Sequence, residues 1–266
     1  MLDESQWIWS FSKLSTFDRC PYNFYLDYIK KVDKEQNAFA QYGTFVHELL
    51  EKYAKNELLI FELLDEYKEK FTMNVTHDFP PNAYVDLAQT YYQGGLEYFT
   101  KFEGFDEYEI LEVEKKVEFK IDKYPFIGYI DLLLKDKKGN IIVLDHKSKD
   151  LKKPQKKRWE DTEVRRTTEL YEYLRQLYIY CIPIVEQEHI VPKYLIFNCF
   201  RKGNIIKIDF DMEDYKESKQ WALDIINQIY ADENMTKVYD SDFFCNFICG
   251  VSHYCPRSNK FLGETL

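Results

Sequence analysis

The sequence predicts an α/β domain with a mixed sheet and a helical elaboration, and two changes of pattern carry that prediction. Over roughly the first hundred residues, apolar side chains recur at helical spacing. From about Ile110 they alternate in period two or run together in short blocks, as in half-buried and fully buried strands. A helix, a hairpin and a further helix then follow.

Residues 12–30 read as a helix opening at Ser12, with Leu14, Phe17, Phe24 and Tyr28 among its apolar positions. A second helix follows Gly43, where Val46, Leu49, Leu50 and Tyr53 hold the i, i+3, i+4, i+7 stripe of a buried face. Helical pattern returns over 58–71 and 83–102. Between 111 and 121 the odd positions Val113, Val117, Phe119 and Ile121 are apolar, while Glu112, Glu114, Lys116, Glu118 and Lys120 intervene. That alternation predicts a half-buried strand with Glu114 on its polar, solvent-facing side. Denser strands are expected over 126–134 and 141–144, with a turn around Gly139-Asn140 between them. A long helix is expected from Glu163 to Cys181, stopped near Pro183. Strands 194–200 and 205–210 flank Gly203-Asn204 as a hairpin, and 211–230 is the last helix. With no repeat and no linker, the chain reads as one unit: a mainly helical region over 1–109, an α/β core over 110–210, and a C-terminal helix with a cysteine-bearing tail over 211–266.

Composition narrows the class. Hydrophobic residues at 45% and charged residues at 31% of 266 describe a soluble globular chain. No apolar run approaches the ~18 residues of a membrane span. The opening hexapeptide is acidic and lacks an apolar signal core, so a reducing cytoplasm is expected and a disulfide framework among the six Cys is not. A net charge of −10 counts against nucleic acid as a partner. The charge is uneven, however. From Lys147 to Arg166 there are nine basic and four acidic residues, a local +5 against −15 elsewhere. Such a run is a solvated loop or a track for a phosphate backbone, and Trp159 within it is a loop aromatic or a stacking platform.

Chemistry enters through carboxylates set in apolar strands. Asp131 lies between Ile130 and Leu132, and Asp145 follows Ile141, Ile142, Val143 and Leu144. A buried unpaired charge is costly, so each needs water or a counter-charge. Alternation puts Asp145 and Lys147 on one side of the strand and His146 on the other. Two carboxylates and an ammonium converging at strand ends suit a divalent cation and an activated water. The plainer reading of Asp145 and Lys147 is an exposed ion pair.

The spacing of Asp131 from Asp145-His146-Lys147 resembles the signature of the PD-(D/E)XK nucleases, whose fold is a restriction-endonuclease-like core. Further blocks resemble the RecB-type branch, which includes phage exonucleases and CRISPR-associated single-strand exonucleases. These are the opening helix from Ser12 to Cys20-Pro21, Gly43-Thr44 with His47, Val113-Glu114 ahead of Gly128 and Asp131, and Gln176 with Tyr180, all in the family's order. The resemblance implies that Asp131, Asp145 and the backbone carbonyl of His146 bind metal, with His47 as a further ligand. Lys147 would then orient or activate the attacking water. Glu114 becomes a candidate acid at the metal, and Gln176 and Tyr180 candidates to contact a phosphate or hold Lys147. Without the resemblance, His47 is equally a helix-surface imidazole paired with Glu51, and Gln176 and Tyr180 a packed helix flank. The implied cofactor is Mg²⁺ or Mn²⁺. The implied activity is a DNA exonuclease acting on single strands or ends in repair, recombination or replication. The alternatives are a DNA-end-binding or assembly subunit serving a helicase, recombination or replication partner, and a CRISPR-type spacer-processing nuclease.

In the iron–sulfur members of that branch, one Cys near the start joins three near the end to hold a 4Fe–4S cluster. Cys20, Cys245, Cys249 and Cys255 match that plan, except that three residues rather than the usual two separate Cys245 from Cys249. Zinc on the same residues, with His253 able to replace one, and a set of metal-free thiols are the alternatives. Cys181 and Cys199 lie in apolar contexts and are expected in the core.

Overall fold

The computed structural model describes residues 7–263; the acidic hexapeptide 1–6 lies outside the described residues. Among the described residues no helix is long and apolar enough to cross a membrane. Five strands form one sheet in the order β1-β2-β3-β4-β5: β1 Tyr108–Ile121, β2 Tyr124–Asp136, β3 Ile141–Lys147, β4 Tyr194–Cys199 and β5 Asn204–Asp209. Among these five strands only the β3–β4 pairing is parallel. A parallel neighbour needs a long crossover, here supplied by the helices between β3 and β4. The sheet is thus mixed, as expected for a PD-(D/E)XK core, and all three later strands run close to the predicted bounds.

The helices before the sheet are α1 Phe11–Arg19, α2 Pro21–Phe24 with a π-helical turn Tyr25–Lys30, α3 Ala38–Ala54, α4 Leu63–Asn74 and α5 Leu87–Lys101. The single helix expected over 12–30 is broken because Pro21 drives Cys20 out of helical geometry, to φ −153°. The Cys20 sulfur then caps α2 by accepting from the Asn23 N–H at 3.4 Å. The helix placed after Gly43 starts earlier, at Ala38, where the Asn37 side chain accepts from the Ala40 N–H at 2.9 Å. The pattern read as helix from 58 belongs to turns up to Leu63, tied by the Leu59 N–H to Glu62 at 2.7 Å.

The crossover holds α6 Lys156–Glu160, α7 Thr162–Arg166, α8 Glu169–Tyr180 and α9 Ile182–Glu186. The long helix expected over 163–181 is divided because Thr168 is extended and caps α8 through the Tyr171 N–H. Pro183 does not stop a helix. It sits in the first turn of α9, where its missing N–H is no loss. The last long helix, α10, spans Met212–Ala231 and is capped by Asp211.

One sheet face buries Val117, Phe119, Phe126, Val143 and Phe197 against Leu14 of α1, Leu174 and Leu177 of α8, and Ile225 and Ile226 of α10. The other face buries Leu132, Leu134, Leu144 and Ile196 beneath Ala54 and Phe105. Burial of each such side chain is worth roughly 1.5–3 kcal/mol, which fixes α8 on one side of the sheet and α3 on the other. The site lies where these two layers meet the ends of β2 and β3.

Candidate active site

The β2–β3 ladder ends at the Leu132–Leu144 pair. Asp131 and Asp145 would form the next rung, but the strands part there. In place of a backbone carbonyl, the Asp131 carboxylate takes the His146 N–H, at 2.7 Å from Oδ2. On the other side of β2, the register that pairs Val113 with Leu132 and Lys115 with Ile130 sets Glu114 opposite Asp131. Glu114 has φ +50°, a left-handed conformation that a glutamate adopts at a cost. Side-chain direction switches there as well: Val113 packs with Leu132 and Leu134, Val117 with the opposite core. Solvent exposure, the expectation for Glu114, is therefore overturned. Its side chain is 28% exposed, and its Oε1 is buried without a hydrogen-bond donor.

Helix α3 delivers His47 to this pair. Its Nε2 lies 3.0 Å from Asp131 Oδ2 and 3.5 Å from Glu114 Oε1. Glu51, the helix-surface partner considered for His47, pairs with Lys55 instead. Among the described residues, His47, Glu114 and Asp131 are the group whose ligand atoms all lie within 4.8 Å of one another.

Asp145 and Lys147 face α8, as the alternation requires. Lys147 Nζ lies 2.8 Å from Asp145 Oδ2, an ion-pair contact, and donates to Asp145 Oδ1 and Gln176 Oε1, each at 3.1 Å. The pair is not the exposed one considered above, since Asp145 is 3% exposed. Tyr180, one turn after Gln176, hydrogen-bonds it and is buried against β2. Gly128 makes room: a Cβ there would lie 2.4 Å from the Tyr180 ring. His146 points the other way, and its Nδ1 lies 2.9 Å from Asn198 Nδ2, which also donates to the Tyr98 hydroxyl at 2.7 Å. Asn198 and Tyr98 were not anticipated, although an asparagine inside an apolar strand is the same kind of signal as Asp131 and Asp145.

The charges are unbalanced in favour of a cation. Burial disfavours ionising His47, but the hydrogen bond and charge of Asp131, with Glu114 and Asp145 behind, raise it to about 9. Burial opposes the charged form of Asp131 too, and His47, His146 and Lys147 outweigh it and lower its pKa. Burial, then the Asp131 charge, lifts Asp145 to about 7 against the pull of Lys147. Burial and Asp131 also raise Glu114. Lys147 stays cationic because Asp145 and Asp131 outweigh its burial. Burial pushes His146 down to about 3, leaving a neutral ring. Glu114 Oε1 accepts no hydrogen bond, and Asp145 Oδ2 has only its ion-pair contact with Lys147. Three crowded carboxylates with such orphaned oxygens fit a hard divalent ion such as Mg²⁺ or Mn²⁺.

The basic segment meets a different fate. Arg165 and Arg166 are consumed by the buried Asp214, at 2.7 and 3.1 Å. Lys152, Lys153, Lys156, Lys157 and Arg158 are exposed, and Trp159 is half-buried against the core beside Lys153 and Arg165.

Cys20, Cys245, Cys249 and Cys255 line one small cavity. The Cys20 sulfur accepts from the N–H groups of Asn23 and Tyr239, at 3.4 and 3.3 Å. Burial, and then the neighbouring Cys20, Cys255 and Cys245, push Cys249 up to about 11. Among the described residues no three of these sulfurs lie within 4.8 Å of one another. His253 faces Glu35 at 3.5 Å. Cys181 and Cys199 are buried in the main core.

Carboxylates, an imidazole and a captive lysine around a strand fork are the equipment of a metal-dependent phosphodiesterase. The family model of the PD-(D/E)XK nuclease superfamily matches residues 8–256, and the chain belongs to that superfamily of metal-dependent nucleases. No curated protein matches the chain. A solved structure described as "Crystal structure of SSO0001" is similar at 18% identity and a TM-score of 0.35, covering 80% of this chain and 97% of its own. The family match alone carries the assignment.

Proposed function

We propose that the chain is a metal-dependent DNA exonuclease of the RecB-type branch, acting on single strands or DNA ends in repair, recombination or replication. The observation that carries the nuclease chemistry is Lys147, clamped between Asp145 and Gln176 beside the His47, Glu114 and Asp131 group. The finer assignment to DNA and to exonuclease action is supported by the order of the sequence blocks from Ser12 to Tyr180.

In this reading Asp131, Glu114, Asp145, the His146 carbonyl and neutral His47 hold the ion. Mg²⁺ or Mn²⁺, when bound, supplies charge neutralisation at the phosphate and lowers the pKa of water. The chain's own residues do the rest. The Lys147 ammonium orients the water and donates to a non-bridging phosphate oxygen as negative charge develops. Gln176 and Tyr180 hold that ammonium in place. The water oxygen bonds to phosphorus, the bond to the 3′-oxygen breaks, and the products are a 5′-phosphate and a 3′-hydroxyl. At the C-terminal end of α1, Cys20, with Cys245, Cys249 and Cys255, would hold a 4Fe–4S cluster, a reading supported by four thiols around one cavity and N–H donors aimed at the Cys20 sulfur.

Anaerobically purified protein and Lys147→Ala are incubated with 5′- and 3′-labelled single- and double-stranded DNA in Mg²⁺, Mn²⁺ or EDTA. Stepwise loss from an end, dependent on metal and absent in the variant, is expected. Binding without cleavage by both proteins would overturn the enzyme in favour of a binding subunit.

A further inference from the structure

A groove of about 360 Å³ runs between α1, α8 and α10, bordered by Phe11, Arg19, Tyr173, Arg175, Trp221 and Tyr239. Tyr173 joins it to the Lys147 site. Tyr173 lies one turn before Gln176 on α8, and the ammonium groups of Lys147 and Lys149 stand 5.4 and 5.9 Å from its ring centroid. Arg19, exposed in the last turn of α1, is near enough to Lys149 for their charges to interact. On the far wall Trp221 packs against Phe11 in a tilted contact at 5.6 Å, lies under Arg175 at 5.3 Å and donates to Asp18 at 3.3 Å. Asp18 and Glu172 also border the groove, and Lys149 is ion-paired with Glu169, which a bound phosphate must displace; net positive charge is therefore small and aromatic surface dominates.

Alternating cations and aromatic faces are how proteins hold a strand whose bases are unpaired. We infer that this groove receives the nucleotide next to the scissile phosphate of a single strand, its base stacked on Tyr173 and its phosphate between Arg19 and Lys149. A paired base offers no free face to Tyr173, so the groove selects single strands. The inference rests on the nuclease reading above and adds the residues that choose the substrate. It also moves the path of the strand away from the basic segment 152–158, whose Lys153 borders a separate hollow with Trp159, Phe210 and Asp214.

The test measures binding in EDTA, by anisotropy, of a labelled oligothymidylate and of the same oligomer with every base removed. The ratio of the two dissociation constants reports base stacking. Tyr173→Leu should lower that ratio at least roughly 5-fold, since one stacked base is worth about 5- to 150-fold in affinity, and Tyr173→Phe should preserve it. Arg19→Gln, an exposed change safe for folding, should reduce the salt slope by about 0.7. A ratio identical in wild type and Tyr173→Leu, or an unchanged slope in Arg19→Gln, overturns the groove. If the wild type still cuts DNA in that case, the nuclease reading stands alone; if the wild type neither binds nor cuts, both fall.

Discussion

A proton occupies the candidate metal site at neutral pH, and a metal ion must displace it. His47, raised to about 9 by Asp131 and Glu114, is an imidazolium at pH 7 and cannot ligate in that form. The sign follows from the competition. A raised pKa in the metal-free state means that protons win as pH falls, so metal affinity weakens below pH 9. The apparent dissociation constant grows by the factor 1 + 10^(9 − pH), which is about 2 at pH 9, about 11 at pH 8 and about 100 at pH 7. Asp145, at about 7, is half protonated at pH 7 and adds a further factor of about 2 there. Titration calorimetry of Mn²⁺ under argon, in buffers of differing protonation enthalpy, reads both quantities. Affinity should rise roughly 10- to 20-fold from pH 7 to pH 8 and level off above 9, with between one and two protons released at pH 7, on the order of 1.5. His47→Asn should bind more weakly at pH 9 and lose most of the pH dependence. An affinity that is flat from pH 7 to 9, with no buffer-dependent heat, would refute the assignment of His47 as a ligand.

Gly128→Ala would drive a Cβ to 2.4 Å from the buried Tyr180 ring, so a loss of roughly 1–3 kcal/mol by urea denaturation is expected, with slower cleavage as Gln176 and Lys147 lose their support. Cys20→Ser should abolish the iron, inorganic sulfide and visible absorption expected of anaerobically purified protein; wild type free of iron would sink the cluster. Asp214→Ala strands Arg165 and Arg166 beside the core and should cost roughly 3–5 kcal/mol, measured the same way, whereas an effect under ~1 kcal/mol would mean that the pair is effectively solvated.

Elements with a clean period were legible in the sequence, and so were residues whose polarity clashes with their neighbours. Asp131 and Asp145 stood out against apolar strands, and β2, β3 and α10 fall close to their expected bounds. What was not legible depends on single-residue geometry. Alternation through Glu114 is regular in sequence, yet the left-handed backbone at that residue turns it inward, and no periodicity reports a change in φ. Cys20-Pro21 did announce a break, but the apolar positions on either side hid it. The blocks pointed to Asp131, Asp145 and the His146 carbonyl as metal ligands, with His47 as a further ligand and Glu114 as a candidate acid. The tightest gathering among the described residues is His47, Glu114 and Asp131, with Asp145 held by Lys147. That grouping depends on where α3 lands across the sheet, which is a tertiary fact.

The irregularities of the sheet have a common electrostatic cause. Were β2 and β3 to continue pairing beyond Leu132 and Leu144, Asp131 and Asp145 would face each other across the ladder, and like charges in that position repel. Parting the strands separates them, and the Asp131 carboxylate then satisfies the His146 N–H that the ladder abandons. Glu114 pays for its approach with a left-handed backbone, a strain of order 1–3 kcal/mol. His47 and Lys147, both kept cationic by their raised pKa values, offset the three carboxylates only in part, being two cations against three acids. The metal-free fold therefore holds a deficit of positive charge at the point where the strands diverge. A divalent cation relieves that deficit, and so binding should raise thermal stability as well as permit catalysis. The same carboxylates that open the sheet there are thus the ones that could hold a cation.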